Sequence, residues 1–124
     1  MIRINVGGLA AQEIHYLAAR IGGDQVDVRV VAEIAGAQEI AEGKADYYFG
    51  ACATGGGGAL AMAIAILGFS KCFTASTAGN PPKEKEIREA VTSGKKAFGF
   101  TIDHVDLAVP LIMDAILAHH NRDT

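Results

Sequence analysis

Tryptophan is absent from the chain, and five phenylalanines with three tyrosines are its only aromatics. A core built from these 124 residues must be packed largely by aliphatic side chains. Cysteine is nearly missing too: Cys52 and Cys72 lie in apolar segments with no CxxC and no Cys/His spacing. That excludes a disulfide framework and a zinc module of familiar spacing, and it fits free thiols in a reducing cytoplasm. Basic residues are few, 11 against 14 acidic ones, and they are scattered rather than striped. Such a chain has no electrostatic footprint for nucleic acid. Charge of either sign reaches only 20% while half the residues are hydrophobic, which rules out a disordered chain. A chain of this length buries roughly two thirds of its unfolded surface, enough for one core. A single domain over residues 1–118 is expected, with a loose tail over 119–124.

Glycine is what the chain has in excess, 15 residues in all, and five of them lie between Gly50 and Gly58. They fall within an uncharged run of 24 residues, Tyr47 to Ser70, which is long enough to cross a bilayer. Each interior glycine costs a helix about 1 kcal/mol relative to alanine, so strand, glycine loop and buried helix in succession fit better than a span. No membrane insertion is expected. Arg3 interrupts the apolar start, so no signal peptide is read there.

Strand and helix patterns alternate along the chain. The β-branched run Ile2 to Val6 ends at Gly7-Gly8, and Leu9, Ile14, Leu17, Ala18 and Ile21 then recur at helical spacing up to Gly22-Gly23. Val26 to Val31 reads as the second strand, Ala32 to Glu42 as a helix, and Asp46 to Ala51 as the third strand. A helix over 58–67 follows the glycine run. Lys71 to Ala75 is the fourth strand, Lys83 to Ser93 a charged helix, Ala97 to Thr101 the fifth strand and Ile102 to Ala118 the last helix. Parallel strands need crossovers, so five such units predict a Rossmann- or flavodoxin-like three-layer α/β/α sandwich on a five-stranded parallel sheet. The expected strand order is 2-1-3-4-5. It sets the loops after strands 1 and 3 side by side at a topological switch point, where open α/β sheets bind ligands.

Those loops are Gly7-Gly8 and Ala51 to Gly58. In the second, Ala53, Thr54, Gly55, Gly56, Gly57 and Gly58 carry little side chain between a strand and a helix, so backbone amides can converge on an anion. The same glycines also let a helix pack closely on a sheet. No lysine follows them, which excludes a nucleotide P-loop, and no GxGxxG follows the first strand, so no cofactor is expected. Cys52 stands where a helix N-terminus lowers a thiol pKa, which suits a base or nucleophile, although buried cysteines are as often inert. His104, three residues after Thr101 on the same edge, is a candidate acid or base and equally a surface histidine at a helix start. Thr101, with Thr74, Ser76 and Thr77 after the fourth strand, offers hydroxyls that turn chemistry explains as well. Lys83 to Glu89 read as a solvated face, and Cys72 as core.

Asp46-Tyr47-Tyr48-Phe49-Gly50-Ala51-Cys52-Ala53-Thr54-Gly55, with Gly68, Lys71-Cys72, Ala97-Phe98-Gly99, His104-Val105 and Pro110, resembles the YhfU-like family of small bacterial proteins. The likeness covers nearly the whole chain. It implies a domain of unknown function, with genes for a transporter and for small-molecule enzymes expected beside its own. Cys52-Ala53-Thr54-Gly55-Gly56-Gly57 is similar to the CGTGxG loop of the B-type ribose-phosphate isomerases. That resemblance implies Cys52 as a proton-transferring base and the amides of Gly55 to Gly57 as an oxyanion site. The Asp-His pair those isomerases carry after the first strand is here Val6-Gly7-Gly8-Leu9.

The helix over 58–67 is apolar all round, which predicts a homodimer or higher homo-oligomer through it. Two functions follow as expectations. One is an enzyme acting by proton abstraction on a small phosphorylated or carboxylated metabolite. The other is a non-catalytic ligand-binding or accessory subunit of a small-molecule catabolic system.

Overall fold

The computed structural model describes residues 1–53 and 60–122. Its strands are β1 (Ile2–Gly8), β2 (Val26–Val30), β3 (Tyr47–Cys52), β4 (Cys72–Thr74) and β5 (Ala97–Thr101), all parallel in one sheet. The helices are α1 (Ala11–Gly22), α2 (Glu33–Ala41), α3 (Ala61–Leu67), α4 (Glu84–Thr92) and α5 (Val105–Arg122). This is the expected three-layer α/β fold.

The pleat sorts the strand residues between two unequal cores. Ile4, Val6, Phe49, Phe98 and Phe100 face α1, α4 and α5, where Ile14, Ile87, Val109, Ile112 and Ile116 meet them without solvent contact. Each such side chain contributes about 1.5–3 kcal/mol by leaving water. The other face is smaller. Tyr48, Cys72 and Ala97 pack there with Ala37 of α2 and with Leu60 and Ala63 at α3.

The strand order is β2-β1-β3-β5-β4, so the last two strands are exchanged relative to the expected 2-1-3-4-5. Every residue of β5 is buried, as a central strand requires, whereas β4 has three residues and ends on the exposed Thr74. Short, partly polar strands belong at sheet edges. Right-handed crossovers then put α2 and α3 on one face and α1 and α4 on the other, with α5 packed between these last two.

Two details bear on the site. In the register Gly7 pairs with Gly50 and Gly50 with Gly99, a row of glycines across three strands just before their carboxyl ends. The last helix continues to Arg122, past the expected end at Ala118, and the Tyr47 hydroxyl lies 2.9 Å from His120 Nε2. Residues 119–122 are therefore helical.

Candidate functional site

At the carboxyl edge β1 and β3 run side by side, with Gly8 opposite Ala51. The Leu9 amide donates to the Ala51 carbonyl at 3.1 Å. Gly8 is demanded twice at this seam: its φ is +79°, and a Cβ there would stand 2.8 Å from the Ala51 carbonyl oxygen. Gly7 and Gly8 thus lie against the end of β3, where Ala53 is exposed. Thr54, Gly55, Gly56, Gly57 and Gly58 lie outside the described residues.

The exchange of β4 and β5 has a chemical consequence. With β5 beside β3, Cys52 is in register with Thr101 and points to the same face, about one strand spacing of 4.8 Å away. In the expected order Cys52 would have faced the end of β4. Cys52 is half-buried and Thr101 fully buried.

Thr101 organises its neighbours. Its amide donates to Ser76 Oγ at 3.2 Å, the two hydroxyl oxygens are 3.3 Å apart, and Thr101 Oγ1 is 2.7 Å from His104 Nδ1. The Thr101 hydroxyl, and after it the charge of His104, hold the Asp103 carboxyl below its ordinary value. Asp103 Oδ1 is 3.7 Å from His104 Nδ1. A carboxylate on that side favours the proton on Nδ1, donated to Thr101, which leaves the lone pair on Nε2. The imidazole is thereby oriented by a buried hydroxyl.

Ser76, only 3% exposed, was legible in the sequence as a hydroxyl that turn chemistry explains equally well. Next to it, beyond β4, is a cavity of about 200 Å³ lined in part by Thr74, Ser76, Thr77, Asn80 and Lys83. Lys83 precedes the first turn of α4 and stands on the expected solvated face, where it also borders this cavity; its Nζ is 4.0 Å from Glu86 Oε2, which lines the same cavity. A larger hollow of about 380 Å³ lies between α4 and α5, lined by residues including Arg88, Glu89 and Arg122. It is remote from the strand ends, and it engages none of the candidate residues.

Cys72 belongs to the core. Its thiol donates to the Gly68 carbonyl at 3.6 Å, and burial pushes it above its ordinary value, against the opposing pull of Lys95. Along α3, Ala63 is buried, but Ala61 and Ala65 are exposed and Phe69 just beyond is 76% exposed. Among the described residues no helix is long and apolar enough to cross a membrane, and no cluster of three or more His, Cys, Asp or Glu is placed to hold a metal.

A family model described as a protein of unknown function, DUF2620, matches residues 2–116. The uncharacterized protein YhfU of Escherichia coli strain K12 is 33% identical over 114 residues, covering 92% of this chain and 97% of that protein. Its counterpart in Shigella flexneri matches to the same extent. No solved structure matches the chain.

Proposed function

We propose, from the premise that the chain belongs to the DUF2620 family of proteins of unknown function, that it binds a small phosphorylated or carboxylated metabolite at this carboxyl edge. Isomerase-like proton transfer by Cys52 is the chemistry assigned to it. The observation that carries the reading is the alignment of Cys52 with Thr101, whose hydroxyl holds His104 Nδ1 at 2.7 Å.

A thiolate in that position takes a proton from carbon beside a carbonyl, and the carbonyl oxygen gains the charge as the enediolate forms. The thiol then returns the proton to the neighbouring carbon, so no oxidant or reductant is needed. His104, with its lone pair on Nε2, serves the proton exchange at oxygen. Lys83 and the hydroxyls of Thr74, Ser76 and Thr77 supply charge and hydrogen bonds for the anionic group. The setting is the cytoplasm.

Thermal-shift screening with sugar phosphates and short carboxylates tests the binding, because a ligand of the native state raises the midpoint by mass action. Stabilisation by at least one anion class, reduced in Lys83→Ala, is expected. A flat response to every anion overturns the reading. Exchange of solvent deuterium into a bound sugar phosphate separates chemistry from binding: exchange lost in Cys52→Ser is expected, and exchange retained in that variant removes the base.

A second reading, a non-catalytic accessory subunit, is favoured by the apolar flank of α3 and by exposed Phe69. On either reading this flank is the proposed homo-oligomer contact. A larger mass in sedimentation, reduced to the monomer by Phe69→Glu, is the expected result.

A further inference from the structure

Tyr47 and Tyr48 are adjacent in sequence and point to opposite faces of β3. Tyr48 is 1% exposed, and its Oη is the buried side-chain polar atom with no hydrogen-bond partner among the described residues. Phenylalanine would fill the same space without an unpaired hydroxyl, so an orphan of this kind needs an explanation. Asn5, its neighbour in the register, turns its amide to the Gly36 carbonyl at 3.2 Å and to Glu39 Oε1 at 3.0 Å.

Two glycines accommodate the ring. A Cβ on Gly36 would be 2.9 Å from Tyr48 Cδ1 and Cε1, and a Cβ on Gly7 would be 2.6 Å from Oη. The hydroxyl is therefore aimed at the side-chain-free end of β1. One acceptor and the stem of a second reach the same spot: the place a Gly7 Cβ would take is 3.1 Å from the Val31 carbonyl oxygen and 3.3 Å from Glu33 Cγ. Glu33 Oε1 is 3.3 Å from the corresponding point on Gly8.

The chemistry of this cradle selects its occupant. Burial, and then the Glu33 carboxylate beside it, push the Tyr48 phenol well above its ordinary value, so it is a neutral donor. α2 opens at Ala32 with no side-chain cap, which leaves first-turn amides to be satisfied from outside. Glu33 in that turn repels an anion. An alcohol oxygen meets both demands, accepting from Tyr48 while donating to Glu33 or Val31.

We propose that Tyr48 Oη, the Glu33 carboxylate and the Val31 carbonyl, grouped over Gly7, form a subsite for an alcohol group of a hydroxylated small acid. The acid end of that ligand rests on the function proposed above, and the alcohol subsite does not. β1 and β5 are two strand spacings apart, about 10 Å, a span that a chain of about six carbons with its terminal oxygens covers.

Thermal shifts of the wild-type protein and of Tyr48→Phe with gluconate, hexanoate and ribitol test the subsite. Gluconate and hexanoate share a carboxylate and a chain length, and ribitol has alcohols without charge. Gluconate is expected to stabilise the wild type more than hexanoate does. Tyr48→Phe is expected to weaken gluconate roughly tenfold, the worth of one hydrogen bond, without lowering the midpoint of the unliganded protein. Equal effects of gluconate and hexanoate overturn the subsite and leave the acid site standing. Stabilisation by ribitol alone, lost in Tyr48→Phe, keeps the subsite and overturns the acid site. A gluconate advantage that survives Tyr48→Phe, or no response to any of the three, overturns the subsite. So does a crystal soaked in gluconate with only an ordered water on Tyr48 Oη.

Discussion

The two faces of the sheet are built to different specifications. The face toward α1, α4 and α5 is closed by large side chains, among them Phe49, Phe98, Phe100 and Ile112, all with no solvent contact. The face toward α2 and α3 has Ala97, Cys72 and the row Gly7, Gly50 and Gly99, with one large ring, Tyr48. Close packing on one face supplies stability, and glycines on the other let the Tyr48 ring and hydroxyl lie against the backbone. Tyr48, Cys52 and Thr101 belong to the face with the small residues, whereas the Tyr47 hydroxyl meets His120 on the other.

The largest test of that contrast is Phe98→Ala. A phenylalanine lost from a closed core costs about 3–5 kcal/mol, so the urea midpoint is expected to fall sharply or the chain to unfold. Gly8→Ala comes next. It sets a Cβ at φ +79° and 2.8 Å from a backbone oxygen, and about 2 kcal/mol of destabilisation is expected in the same assay. Thr101→Val keeps the shape but removes the hydroxyl shared by Ser76 and His104, for about 1–2 kcal/mol. Its distinguishing readout is by NMR, changed ring chemical shifts of His104, which loses its contact to Thr101 Oγ1.

The smallest effect at neutral pH belongs to Tyr48→Phe, within about 1 kcal/mol of wild type and on the stabilising side. Its signature is in the pH dependence. The folded-state phenol has a raised pKa, so its contribution is complete below the unfolded value of 10.0 and is lost as pH rises above it. Wild type is expected to lose stability above that pH more steeply than Tyr48→Phe. Equal slopes in the two proteins would remove the phenol from the account.

Much of the architecture could be read from one sequence, because β-branched runs and glycine stops mark elements locally. Strand order could not be read that way, since 2-1-3-4-5 and 2-1-3-5-4 both satisfy right-handed crossovers. The clue was present in composition: Ala97-Phe98-Gly99-Phe100 is continuously apolar, whereas β4 is three residues flanked by Lys71 and Ala75. Cys52, Thr101 and His104 were singled out by their places at strand ends. Tyr48 was not singled out, because Tyr47 and Tyr48 are indistinguishable until the register assigns one to His120 and leaves the other without a partner among the described residues. Lys83 was hidden in a run of alternating charges, and only the turn through Pro81 and Pro82 brings it to the strand ends.

The exchanged strands also dictate when the protein can fold during synthesis. β2, β1 and β3 can assemble early, but in the sheet β4 has a single neighbour, β5, and β3 waits for the same strand on its open edge. Until residues 97–101 have emerged from the ribosome, β4 is an orphan and β3 an exposed hydrogen-bonding edge, the geometry that invites aggregation. A nascent chain interrupted before Ala97 would thus be missing the middle of its sheet rather than its end.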